Sequence, residues 1–154
     1  MSTCDPHCPL CQNDEAPLLW RGSHWRVIEV DDGDYPGYTR VIWNHHHTEM
    51  THLSYPEREL LMRAVYVVEE TQRQVLKPDK VNLASLGNMV PHLHWHVIPR
   101  WRGDRHFPNA VWATPRIESE LECAKDMARR KHLQQLLPRY RDRLIEAMNT
   151  LLRH

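Results

Sequence analysis

The sequence predicts an α+β domain: a largely antiparallel sheet with one long helix packed on it, followed by a helical C-terminal extension. Three observations carry that expectation. Short apolar or alternating runs bounded by turn residues occupy positions 24–30, 38–43, 80–85 and 92–100. A run with helical spacing, opened by Ser54, lies between the first pair of strands and the second. From about Ile117 onward the chain is charged and helix-permissive. Strands, one long helix and more strands define the α+β class.

Each element has a local reason. The first segment, to about Asn13, is cysteine-rich and turn-like. Residues 24–30 read as a strand stopped by Asp31-Asp32-Gly33-Asp34, and Tyr35-Pro36-Gly37 supplies a turn into the strand 38–43. The pair therefore reads as a hairpin. Ser54 and Glu57 form a capping-box signal, after which Leu60, Leu61, Ala64, Val65, Val68, Thr71 and Val75 recur on one helical face. Lys77-Pro78 ends that run. A third strand follows, then a Leu86-Gly87-Asn88 bend, then the stretch HLHWHVIPR. In a strand, His92, His94 and His96 share one face about 7 Å apart from one to the next, while Leu93, Trp95 and Val97 line the other.

Beyond Trp101 the chain is polar and proline-marked before the last helix, where Leu144, Ile145, Met148, Leu151 and Leu152 repeat at three and four. That stripe is a packing face, in cis or on a partner chain. Trp112 could reach a neighbouring site but reads first as a core tryptophan, and Cys123 as an ordinary helix residue. Residues 1–101 are expected to form the main domain and 102–154 an extension within the same globular unit.

At 154 residues the chain fits one domain with a sizeable core. Twenty basic residues balance twenty acidic ones, which argues against a nucleic acid polymer or an anionic membrane as the main partner. A small anionic ligand needs only a few local donors and stays open. No apolar run reaches the roughly 18 residues of a membrane span, and MSTCDPHCPLCQ lacks the regions of a signal peptide, so a cytoplasmic protein is expected.

Twelve histidines is a high number, and they cluster: His45, His46, His47 and His52 form one group, the triplet another. Three histidines on a strand face could coat a solvated surface, ligate a metal or do covalent chemistry. In a cytosolic chain, Cys8-Pro9-Leu10-Cys11 points to metal or redox chemistry. A Cys2His2 site would need two histidines from elsewhere, and His46 with one triplet member is the economical choice.

The pattern from Cys8 to Arg100 resembles the histidine triad (HIT) hydrolases and transferases. The family motif alternates three histidines with apolar residues and ends in two more, and His92-Leu93-His94-Trp95-His96-Val97-Ile98 matches it throughout. The upstream strand, Pro36-Gly37 turn, strand and His46 match in order, and Cys8–Cys11 matches the zinc-containing members. Two positions depart: Tyr38 stands where many members carry histidine, and Trp43 where proline is common.

The resemblance implies a HIT-like sheet, usually in a homodimer, that acts at the α-phosphate of an adenine nucleotide on phosphoanhydride or phosphoramidate bonds. His94 would be the nucleophile and form a nucleotidyl-histidine, its other ring nitrogen held by a backbone carbonyl of the motif. His96 would donate to phosphate oxygens or the leaving group. Asn88 and the bend's N–H groups would contact phosphate, and Asp31 or Asp32 the ribose hydroxyls. Cys8, Cys11, His46 and His92 would hold a structural zinc, with His45, His47, Cys4 and His7 as competing ligands; no cofactor enters the chemical step. Two rivals stand beside this reading. One is a non-catalytic nucleotide- or metal-binding module; the other is a hydrolase whose catalytic metal is held by all three triplet histidines.

Overall fold

The computed structural model describes residues 4–12 and 17–153. Five strands form one sheet: β1 (Leu18–Arg21), β2 (Trp25–Glu29), β3 (Thr39–Trp43), β4 (Lys80–Ala84) and β5 (His94–Arg100), in the order β1-β2-β3-β5-β4. Every neighbouring pair is antiparallel. Three helices complete it: α1 (Pro9–Gln12), α2 (Tyr55–Val75) and α3 (Glu120–Leu151). The α+β expectation holds, with the long helix on the sheet and the extension helical.

Alternation splits the sheet into two unlike faces. Trp25, Val27, Val41, Trp43, Leu93 and Val97 point to one side, where they pack with Leu61, Ala64, Val65 and Val68 of α2 in a single apolar cluster. Leu133, Leu137, Tyr140, Leu144 and Met148 of α3 join the same cluster. The C-terminal stripe therefore packs in cis through Leu144 and Met148, while Leu152 stays exposed. Each fully buried apolar side chain of this kind contributes about 1.5–3 kcal/mol. Arg141 of α3 also clasps Glu29 of β2 through Nε (2.6 Å) and Nη2 (3.1 Å).

Both long helices begin with capping boxes, Ser54 with Glu57 and Ser119 with Glu122, which satisfy otherwise orphaned N–H groups. Gly37 closes the Pro-Gly turn at φ 88°, and a Cβ there would lie 2.3 Å from the Leu76 side chain. The turn thus needs glycine for both conformation and space.

Four details differ from expectation. β1 carries only the four residues LLWR, and its brevity on the sheet edge leaves no alternation to read. The triplet strand begins at His94, because Leu93 N–H instead reaches the His47 carbonyl (2.6 Å) and the Leu93 carbonyl accepts from Trp43 (3.0 Å). His92 sits just before the ladder, which frees its ring to face the N-terminal segment. The third difference is α1, a single helical turn where only turn-like chain was expected. The last is Trp112, which is no core residue: it is 51% exposed and its ring lies edge-on to His96 at 5.2 Å.

Candidate active site and metal centre

The face away from the helices carries the polar residues. Strand register fixes their rows: Ile28, Arg40, His96 and Ala84 lie side by side across β2, β3, β5 and β4, and Arg26, Ile42 and His94 form the adjacent row. The triplet is not a solvated coating, since His92, His94 and His96 are 1%, 7% and 5% exposed.

His92 turns towards the N-terminal cysteines. Its Nε2–H donates to the Trp43 carbonyl (2.6 Å), which leaves the Nδ1 lone pair facing Cys8 Sγ (3.4 Å) and Cys11 Sγ (3.5 Å). His46 Nδ1 lies 3.4 Å from Cys11 Sγ. One ligand atom from each of Cys8, Cys11, His46 and His92 falls within 4.8 Å of the others, so this quartet could hold a metal ion. Among the described residues it is the one such group of three or more. The competing ligands stay outside: Cys4 reaches the Cys11 carbonyl and His47 packs beside His52. Burial pushes the Cys8 thiol up, a trend that a bound cation would reverse. Arg26 Nη2 donates to the Leu10 carbonyl (2.5 Å) and so ties α1 to the sheet beside the quartet.

His94 has the opposite ring arrangement. Its Nδ1–H donates to the His92 carbonyl (2.5 Å), leaving Nε2 as the lone-pair nitrogen. Burial holds its pKa below the ordinary histidine value, only partly opposed by the His92 carbonyl, so the ring stays neutral near pH 7. His96 lies 4.8 Å away, centroid to centroid and nearly edge-on. Its Nδ1 receives Tyr38 O–H (2.5 Å) and Arg40 Nε–H (3.3 Å). Burial, with His94 and Arg40 adding to it, pushes the His96 pKa down to about 3. One ring nitrogen of each triplet histidine is thus committed to a different partner, and among the described residues the three do not form a metal-holding group.

Beyond Ile98, a buried polar network closes the lower end of this face. Arg100 donates from Nε (2.8 Å) and Nη2 (3.0 Å) to the Asp104 carboxylate, and from Nη1 to Asn82 (2.8 Å). Asp104 Oδ1 also accepts from Tyr35 O–H (3.0 Å) and the backbone N–H groups of His106 (2.9 Å) and Phe107 (2.7 Å). This clasp draws the segment after β5 back over the sheet and brings Trp112 onto His96. Sequence reasoning missed Arg100, Asp104, Tyr38 and Arg40. The arginines' partners lie on other strands or beyond a turn, so no local signal marks them.

The remaining expected residues are more dispersed. Asp31 and Asp32 line a cavity of about 320 Å³ with Glu29, Pro36, Leu137 and Arg141, and no triplet histidine borders it. Asp32 Oδ1 accepts from Asp34 N–H (2.9 Å), the contact of an Asx turn. Asn88 is exposed on the bend, where Gly87 takes φ 86°.

Comparison with known proteins identifies the family and the fold. The HIT domain model matches residues 17–103, more than half of the chain. The chain belongs to the HIT family, whose members are generally nucleotide hydrolases and transferases. Among solved structures it resembles a histidine triad protein from Bradyrhizobium japonicum, at 25% identity and TM-score 0.61, covering 77% of this chain and 90% of that one. A histidine triad protein from Marinobacter aquaeolei VT8 is 28% identical with TM-score 0.60, covering 79% of this chain and 91% of the other. A hypothetical histidine triad nucleotide-binding protein from Sulfolobus tokodaii shares the fold at 19% identity, with TM-score 0.59 over 89% of this chain and 91% of that one. No curated protein matches the chain. Among the described residues, no helix is long and apolar enough to cross a membrane.

Proposed function

We propose that this protein is a nucleotide hydrolase or nucleotidyl transferase that cleaves phosphoanhydride or phosphoramidate bonds at the α-phosphate of an adenine nucleotide. The observation that carries the reading is the Nδ1–H bond from His94 to the His92 carbonyl, which leaves a neutral ring with Nε2 as nucleophile. Nε2 attacks the α-phosphorus, the bond to the leaving group breaks, and its electron pair departs with that group. Water or another acceptor then cleaves the P–N bond of the nucleotidyl-histidine and restores the imidazole. His96 donates from Nε2 to the phosphoryl oxygens as charge develops. Asp31 or Asp32 is assigned to the ribose and Asn88 with the bend's N–H groups to phosphate.

In this reading Cys8, Cys11, His46 and His92 hold a structural zinc. The sulfur–nitrogen separations of 3.4 and 3.5 Å support it. A tetrahedral ion with Zn–S near 2.3 Å and Zn–N near 2.0 Å needs about 3.5 Å between such ligands. When bound, the metal would supply crosslinking of the N-terminal segment to the backbone at His92 rather than a reacting group. Homodimer formation and a cytoplasmic location complete the reading, and both rest on the family resemblance and sequence.

The test is single-turnover labelling with a diadenosine polyphosphate or an adenosine phosphoramidate. An adduct on His94 is expected, with activity reduced by about 10³-fold or more in His94→Ala. Full activity in that variant would sink the assignment. Metal analysis should give one ion per chain, absent from Cys11→Ala, while a second ion needed for turnover would favour the three-histidine metal site.

A further inference from the structure

Tyr38 and Arg40 are the residues that the site contains and the expected chemistry leaves unused. Arg40 stands directly beside His96 in the strand register, with Ile28 on its other side. Its Nε–H points at His96 Nδ1 (3.3 Å), and its guanidinium lies 5.8 Å from the Tyr38 ring centre. An arginine N–H can only donate, so His96 Nδ1 must be the bare, accepting nitrogen. Tyr38 Oη lies 2.5 Å from the same atom and, with that nitrogen bare, donates its O–H to it. His96 therefore carries its proton on Nε2. Among the described residues no carboxylate lies within ion-pair distance of Arg40. The site thus holds, among the described residues, an arginine beside His96 that forms no ion pair.

We infer that Arg40 is a specificity-determining residue that selects phosphoanhydride substrates, whose leaving group departs as a phosphate anion, over phosphoramidates, whose leaving group is an amine, and that Tyr38 is a positioning residue for His96. The inference rests on the nucleotidyl-histidine reading above and names its substrate class. The two bond types make different demands. When P–O breaks, the electron pair leaves on a phosphate oxygen that needs no proton, only compensation of negative charge. When P–N breaks, the amine nitrogen must take up a proton as it leaves. Arg40 meets the first demand and not the second, because guanidinium stays protonated throughout. His96 is equally poor at the second: Arg40 at its Nδ1 leaves it the neutral tautomer protonated on Nε2, and burial beside His94 and that guanidinium disfavours the imidazolium form. Two neighbouring groups supply positive charge and hydrogen bonds, and neither supplies an acid.

The experiment compares kcat and KM of the full chain on diadenosine tetraphosphate and on an adenosine phosphoramidate with a primary-amine leaving group, for wild type, Arg40→Leu, Arg40→Lys and Tyr38→Phe. Wild type is expected to favour the anhydride in kcat/KM by about tenfold or more. Arg40→Leu should lower kcat on the anhydride by about 10- to 100-fold with a smaller loss on the phosphoramidate, and Arg40→Lys should restore part of it. Tyr38→Phe should lower kcat on both substrates by a similar factor with little change in KM. Equal wild-type rates, a phosphoramidate preference, or the same loss on both substrates in Arg40→Leu would overturn the inference alone. No turnover of either substrate and no adduct on His94 would overturn the enzymatic reading, and the inference with it. Thermal melts show which variants fold; if Arg40→Leu does not, the wild-type ratio and Arg40→Lys decide the question.

Discussion

The two faces of the sheet are stabilised by different physics. The helix face is a continuous apolar cluster in which α2 and α3 cover Trp25, Val27, Val41, Trp43 and Val97, with a few polar contacts such as Arg141–Glu29 and Gln72 to the Val97 carbonyl at its margin. The histidine face is flanked by the short helix α1 and by irregular chain, held by directional bonds: Arg26 to the Leu10 carbonyl at one end, Arg100 with Asp104 at the other. An apolar face tolerates small shifts, because area burial has no preferred angle. A face built from paired charges and ring nitrogens fixes orientation, which a site that must aim three imidazoles differently requires.

Breaking the polar clasp should be the most damaging change to stability. Asp104→Ala leaves Arg100, 1% exposed, as a buried unpaired charge and is expected to cost about 3–5 kcal/mol in urea unfolding. Replacing both partners together, Arg100→Met with Asp104→Leu, should recover only the part due to the unpaired charge, since Tyr35 O–H and the His106 and Phe107 N–H groups still lose their acceptor. It should also impair turnover, because the segment bearing Trp112 loses its anchor. Next comes the apolar face. Leu61→Ala, at a fully buried position, should cost about 2–5 kcal/mol yet leave kcat nearly unchanged in the folded fraction. A kcat loss in Leu61→Ala as large as in the double variant would erase the proposed division between the faces.

Acid sharpens the contrast further. Burial alone would raise the Asp104 carboxyl, but Arg100 and the His106 and Trp101 N–H groups more than reverse it, bringing its pKa to about 2 from an ordinary 3.8. A depressed folded-state pKa contributes stability that is complete above the unfolded value and is lost as pH falls through the folded one. The clasp should therefore weaken between about pH 4 and pH 2, by up to about 2 kcal/mol. The urea midpoint of Asp104→Asn should lack that step. The smallest effect belongs to a cap: Ser54→Ala should cost about 1 kcal/mol and leave the histidine face untouched.

Legibility in the sequence followed how local each signal is. Helix α2 could be read because its capping box and apolar spacing lie within one segment, and the Pro36-Gly37 turn likewise announced the β2–β3 hairpin. The cysteine–histidine quartet was readable in two steps: cysteine and histidine are rare types whose chemistry narrows the choice of partners, and the family resemblance then singled out His46 and His92 among the twelve histidines. Arg40 against His96 and Arg100 against Asn82 are cross-strand relations, set by register, and a common residue such as arginine gives no hint of which neighbour it will meet. The Asp104 clasp depends on the turn after Trp101, where half of the bonds to the carboxylate come from backbone N–H groups that no residue type marks.

The placement of Trp112 has a spectroscopic consequence. The chain has six tryptophans; Trp20, Trp25, Trp43 and Trp101 are buried at 0–8% exposure and Trp95 is half-buried, whereas Trp112 is 51% exposed and touches His96. Its indole should emit at the red edge of the fluorescence band, apart from the blue emission of the shielded rings. A ligand that settles over His96 would change that red component first, so the protein carries its own optical gauge of site occupancy.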